Sequence, residues 1–227
     1  MRRQTKTMVL FDWNMTLIND GPVWYGAVRK VFEAYGKQAP AAEIFLQELA
    51  EHDASLVQTY ALWDIQLNSE EKIRRARKIY SYGYYARINE VELSAGAAES
   101  LESLRGMGIS MGIISGEIVC IFKALMDRFN LWPFFDNRIF LQVENKSEKI
   151  LQLLRRDLVL PERCLYVGDA PSDIRYAKRA SVTSVAYLNG CVSGNLKNLI
   201  AAAEPHYAIS HFCELLPLAE KILLPGV

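Results

Sequence analysis

The chain is poor in histidine and cysteine, has no excess of either charge, and contains no long apolar run. Its three histidines, His52, His206 and His211, are isolated and receive no role. Four cysteines, Cys120, Cys164, Cys191 and Cys213, stand far apart, without metal-ligand spacing or the pattern of a disulfide framework. A reducing, cytoplasmic setting is the simplest account of them. Lys and Arg total 26, and so do Asp and Glu. That balance gives no reason to expect nucleic acid or an anionic membrane as a partner. No apolar stretch reaches the ~18 residues that span a bilayer. The opening MRRQTKTMVLF resembles the start of a secretory leader, but its apolar part is short and Asp12 interrupts it. It reads as a basic tail leading into a strand.

What is present is 227 residues, half of them apolar, enough for one large domain or one domain with an insert. Short apolar runs recur at Met8–Phe11, Met111–Ile114, Arg138–Leu141, Cys164–Val167, Ser184–Tyr187 and His206–Ile209. Several show almost no polar alternation, as expected of strands buried on both faces of a parallel sheet. Helical patterns separate them: Ala97–Met107, Ile118–Phe129, Ser147–Asp157, Ser172–Arg179, Leu196–Ala203 and Cys213–Ile222. This alternation predicts a doubly wound α/β core with a parallel sheet. From Gly21 to Leu93 the pattern is helical throughout, with no convincing strand: Val23–Tyr35, Ala42–Glu51, Ser55–Asp64 and Ser69–Tyr85. The expectation is a core of residues 1–20 and 94–227 with an all-helical insert, 21–93. Gly21-Pro22 and Ser94-Ala95-Gly96 are the expected hinges.

Open α/β sheets bind ligands at the carboxyl ends of their strands. The polar residues that directly follow the apolar runs are therefore the candidates. They are Asp12, Asn14 and Thr16; Ser115 and Gly116; and Asp169 and Asp173 after Gly168, with Lys146 in a loop ahead of a helix. Asp12 and Asp169 in proximity would repel unless a cation lay between them. Oxygen ligands of this kind suit Mg²⁺, which readily shares a phosphate oxygen. A free Asp12 oxygen could then attack phosphorus and form an aspartyl-phosphate. Lys146 would hold it, and Thr16, Ser115 and backbone N–H groups near Gly116 would bind the other phosphate oxygens.

In this ordered set the chain resembles the haloacid dehalogenase superfamily, whose members are mostly phosphatases. Asp12-Trp13-Asn14-Met15-Thr16 is similar to its Asp-x-Asp-x-Thr motif, Ser115 to its second motif and Lys146 to its third. Gly168, Asp169 and Asp173 match its Gly-Asp-x-x-x-Asp motif. The resemblance implies a Rossmann-like core with a helical cap between the first two motifs, acting on a small phosphorylated metabolite with Mg²⁺. It implies that Asp12 is nucleophile and metal ligand, that Asn14 lends its backbone carbonyl to the metal, and that Asp169 completes the protein ligands with Asp173 supporting it. Lys149 is a rival for the lysine role; Lys146 is preferred because the family's lysine usually precedes the helix. Metal-free dehalogenases of the superfamily lack the acid that Asp169 supplies here.

The departure is Asn14. The family's phosphatases usually carry there an aspartate that protonates the leaving oxygen and then activates water. An amide does neither, and such help is worth about 10² to 10⁴ in rate. Turnover would then be slow on alkyl phosphates, unless the leaving group needs no proton, as in acyl or aryl phosphates, or water or a cap residue supplies one. The alternative is a protein that binds a phosphorylated ligand, or a regulatory one, with little or no turnover. Met15 is a smaller departure, at a position where the family commonly has glycine.

Other features read as structural. The basic run Arg74, Arg75, Arg77 and Lys78 follows Glu70 and Glu71 at ion-pair spacing, as on a solvated helix face. Tyr80, Tyr82, Tyr84 and Tyr85 read as core aromatics, and Trp13 as packing.

Overall fold

The structure, a computed structural model, describes residues 6–52, 56–188 and 194–224. Cys191 lies outside them. The chain opens with β1 (Met8–Phe11) and a two-residue strand β2 (Ile18–Asn19). Four helices follow: α1 (Gly21–Ala34), α2 (Ala42–His52), α3 (Leu56–Ala61) and α4 (Glu70–Tyr85), then β3 (Glu92–Leu93). After these come α5 (Ala97–Gly106), β4 (Ser110–Ile114), α6 (Val119–Arg128), α7 (Trp132–Phe135) and β5 (Ile139–Phe140). The last part holds α8 (Lys146–Asp157), β6 (Cys164–Gly168), α9 (Pro171–Arg179), β7 (Thr183–Tyr187), α10 (Gly194–Ala202), β8 (Tyr207–Ile209) and α11 (Leu215–Leu223).

Six strands form one sheet in the order β5-β4-β1-β6-β7-β8, and all its pairings are parallel. This is the expected α/β fold. The chain winds outward from β1 to β5 on one side, then crosses back and winds from β6 to β8 on the other. The crevice therefore opens at the carboxyl end of β1, where the winding reverses. β1 is apolar at all four positions because both its faces are covered. Val9 and Phe11 join the layer with Leu101 and Leu104 of α5 and Ile121 and Phe122 of α6. Met8 and Leu10 join the opposite layer with Ile150, Leu153 and Leu154 of α8. Phe11 is level with Ile113 on one side and Val167 on the other, so the residues beyond these three emerge on one rim.

Four details differ from expectation. The region through Leu93 does contain a strand: β3 pairs antiparallel with β2, Ile18 opposite Leu93 and Asn19 opposite Glu92. Two residues carry too little periodicity to register in sequence. The run at Arg138–Leu141 forms only the two-residue β5, and α7, a single turn opened by Trp132-Pro133, was not anticipated. Lys146 is not in a loop. It is the first residue of α8, with Asn145 as its N-cap.

Among the inserted helices, α1 buries Val23, Ala27, Val28, Val31 and Phe32, a stripe at helical spacing. α4 packs along it, and a Cβ on Gly83 would come within 3.1 Å of the Ala27 Cα, so glycine permits this close approach. Ser69 caps α4 by accepting from the Lys72 N–H at 3.3 Å. Tyr80 and Tyr84 of α4 are buried, whereas Tyr82 and Tyr85 are exposed. The basic run is exposed, but its cations are not paired with Glu70 or Glu71 among the described residues: Arg75 lies over the Tyr35 ring and Lys78 over Tyr82.

Candidate active site

Asp12 leaves β1 with its N–H donated to the Val167 carbonyl at 2.9 Å, which ties it to the end of β6. Two residues beyond Val167 stands Asp169. The Lys146 ammonium, at the start of α8, bridges two carboxylates, Asp12 Oδ1 at 2.6 Å and Asp173 Oδ1 at 2.7 Å. Asp173 also accepts from the Tyr166 hydroxyl at 3.4 Å and, through Oδ2, from the Ala170 N–H at 3.2 Å. Gly168 is needed here, because any Cβ would collide with the Asp173 carboxyl. Thr16 is wholly buried and donates to Asp169 Oδ1 at 2.9 Å. Candidates that stood up to 161 residues apart, Asp12 to Asp173, thus form one network.

Carboxylate oxygens of Asp12, Asp169 and Asp173 all lie within 4.8 Å of one another. Burial, and then their mutual repulsion, drives Asp169 well above the usual carboxylate range. Asp12 is pushed up to about 6, chiefly by burial, against the opposing pull of Lys146. Burial works against the charge on Lys146, but Asp12 and Asp173 outweigh it and hold the ammonium charged. Three acids with one lysine leave an excess of negative charge, and the donor set is all oxygen. These residues fit a hard divalent cation such as Mg²⁺.

Above this network lies a cavity of about 420 Å³, lined at its floor by Asp12, Asn14, Ser115, Gly116, Glu117 and Lys146. Ser115 accepts the Glu117 N–H at 3.1 Å, so its hydroxyl also orders the turn into α6. Lys149 is outside the site: it donates to Gln152 and lies over the Phe140 ring. Trp13 is fully buried against Phe122 and does not line the cavity.

Residues 9–187 match the model of the haloacid dehalogenase-like hydrolases. The chain belongs to this family. It is 30% identical over 160 residues to a phosphoglycolate phosphatase of Salmonella typhimurium, a stretch covering 68% of this chain and 62% of the relative. It thus spans less than two thirds of that protein. A phosphoglycolate phosphatase 1 of Pseudomonas aeruginosa is 25% identical over 227 residues, 96% of this chain and 82% of the relative. Among solved structures, a haloacid dehalogenase-like family hydrolase from Streptococcus pneumoniae superposes with a TM-score of 0.73 at 21% identity, covering 94% of this chain and 98% of the other. That likeness is one of fold.

For a haloacid dehalogenase-like hydrolase, the surroundings of Asn14 are the unexpected part. Its amide nitrogen donates to Asp20 Oδ2 at 2.7 Å and to Glu117 Oε2 at 2.8 Å. Asp20, fully buried, also accepts from the Tyr84 hydroxyl at 2.7 Å and the Met15 N–H at 3.0 Å. Glu117 accepts the Ile118 N–H at 2.6 Å. Burial pushes Glu117 up to about 7 and raises Asp20, both against the pull of the Asn14 amide. Asn14 is the donor that two buried acids share, and an aspartate there would bring a third carboxylate to them. The sequence reading missed Asp20, Glu117, Tyr84 and Tyr166. The one available signal was that a half-buried amide seeks acceptors for both its hydrogens. Met15 has φ of 54°, a left-handed conformation that favours glycine, which accounts for the usual residue at this position.

Proposed function

We propose that this chain is a Mg²⁺-dependent phosphatase of a small phosphorylated metabolite, acting through an aspartyl-phosphate on Asp12. The observation that carries this is the Lys146 ammonium, 2.6 Å from Asp12 Oδ1 at the floor of a cavity, beside Asp169. With one oxygen held by Lys146, the other is free to attack phosphorus. Ser115 and the N–H of Gly116, which line the cavity, would bind the other phosphate oxygens, whereas Thr16, expected there too, is wholly buried and holds Asp169 instead. Asp12, Asp169 and the Asn14 carbonyl would hold the Mg²⁺, which supplies charge neutralisation for the phosphate. Asp173 positions Lys146 and is itself fixed by Ala170 and Tyr166. Residues 21–93 act as the cap that covers the cavity and excludes water. The relatives named phosphoglycolate phosphatase support the reaction class. The described cysteines Cys120, Cys164 and Cys213 are free thiols, in keeping with a cytoplasmic setting. No helix among the described residues is long and apolar enough to cross a membrane.

The test is phosphate release from a panel of phosphorylated metabolites with and without Mg²⁺, with Asp12→Asn as the blank. Mg²⁺-dependent release that falls to background in Asp12→Asn is expected. Release that survives Asp12→Asn would remove the nucleophile. One observation favours the second reading, a binding or regulatory protein: both hydrogens of the Asn14 amide are committed to Asp20 and Glu117. Folded protein that binds Mg²⁺ yet releases nothing from any ester would select it.

A further inference from the structure

The floor of the cavity is polar, and its roof is largely apolar, with Gln58 and Arg77 among its polar members. Trp24 of α1, Leu49 of α2, Leu67 of the connection between α3 and α4, and Ile73 and Tyr80 of α4 line it from residues 21–93. Tyr60 lines it too, with 2% of its surface exposed and a hydroxyl that has no hydrogen-bond partner among the described residues. Buried polar groups are rarely left this way. The roof contributes one cation to the lining, Arg77, on the exposed face of α4. A small ester with a second anionic group would find a largely apolar wall opposite its phosphate, with Arg77 as its one cation among the described residues. At the other end Asn14 has no proton to give a leaving oxygen.

We infer that the substrate is an aryl phosphate, with its ring among Trp24, Ile73 and Tyr80. This rests on the phosphatase reading above and names its substrate class. The chemistry agrees at both ends. A volume of about 420 Å³ accommodates an aromatic body beyond the phosphate. A phenol of pKa about 10 leaves far more readily as its anion than an aliphatic alcohol does. Asp12 forms a bond to phosphorus as the phosphorus–oxygen bond to the ring breaks, and the electron pair departs on the phenolate. Water then cleaves the acyl phosphate, which restores the Asp12 carboxylate and releases inorganic phosphate, and the proton set free passes through solvent to the phenolate.

The experiment compares phenyl phosphate, benzyl phosphate and phosphoglycolate with Mg²⁺, against the Asp12→Asn blank. We expect kcat/KM for phenyl phosphate at least about tenfold above phosphoglycolate. Benzyl phosphate should match phenyl phosphate in KM and fall at least about tenfold below it in kcat. Trp24→Ala should raise KM for both ring esters and leave phosphoglycolate unchanged. Ile73→Ala shortens a half-buried side chain of the same wall and keeps the question open to test if Trp24→Ala does not fold; it too should raise KM for both ring esters and not for phosphoglycolate. Phosphoglycolate equal to or better than phenyl phosphate, or an equal rise in its KM in Ile73→Ala, would overturn the aryl assignment while the phosphatase reading stood. No release from any ester would overturn both.

Discussion

Two groups of buried acids sit side by side in this protein and are kept stable in different ways. Asp12, Asp169 and Asp173 face a cation, the Lys146 ammonium, and their oxygens converge within 4.8 Å. Among the described residues, Asp20 and Glu117 face only neutral donors: the Asn14 amide, the Tyr84 hydroxyl and the N–H groups of Met15 and Ile118. The first group keeps excess charge and so has a use for a divalent ion. The second has its acceptors filled by protein. The difference teaches that a change from carboxylate to amide at one position, Asn14, decides which of two neighbouring acid groups is complete without an ion.

Removing the cation should have the largest effect on this contrast. Lys146→Met leaves Asp12 and Asp173 as uncompensated buried acids, and breaking such a pair typically costs about 3–5 kcal/mol. Urea unfolding should show that loss in the apoprotein, with Mg²⁺ recovering part of it, and phosphate release should fall at least about 10²-fold. Asn14→Asp tests the other group. Read from sequence alone, it restores the family's acid and ought to gain rate. With Asp20 and Glu117 at hydrogen-bond distance, it should instead cost about 2–4 kcal/mol, and adding Glu117→Gln, which returns a donor, should recover most of that. Full stability in Asn14→Asp alone would break the comparison.

The pH dependence should be smaller and opposite to ordinary acid denaturation. A carboxyl held above its unfolded pKa stabilises the fold while protonated. For Glu117 that stabilisation is complete below about 4.5 and is lost as pH rises through about 7, a change of roughly 3 kcal/mol. Asp12, held at about 6, adds to the same slope. The unfolding midpoint of the apoprotein should therefore fall between pH 5 and 8, and Glu117→Gln should flatten the curve. Smallest of all is Met15→Gly. It relieves a left-handed φ worth about 1 kcal/mol and gives up whatever the half-buried Met15 side chain packs against, so the net shift should stay within about 1 kcal/mol.

The fold was largely legible because the strands are buried on both faces and read as unbroken apolar runs, from Met8–Phe11 to Cys164–Val167. The polar residues at the strand ends were legible for the same reason, since position along a parallel sheet sets which groups share a rim. β2 and β3 escaped notice because two residues have no period. Lys146 was placed in a loop because a helix start without a side-chain cap leaves little mark in sequence. Glu117 escaped because its partner Asn14 is 103 residues away, a pairing set by the sheet register and not by local pattern. The cavity roof was illegible too: Trp24, Tyr60 and Tyr80 come from three different helices, and nothing in their spacing shows that they meet.

The paired strands β2 and β3 have a consequence for how such a chain diversifies. The inserted helices leave and rejoin the core through two antiparallel strands, Ile18 beside Leu93 and Asn19 beside Glu92. Their ends are thus only about one strand spacing apart, ~4.8 Å. Any replacement segment whose termini meet at that distance can be grafted there without altering the register of the six-stranded sheet. On the reading proposed above, the machinery that handles phosphate can stay constant while the segment that covers it is exchanged whole.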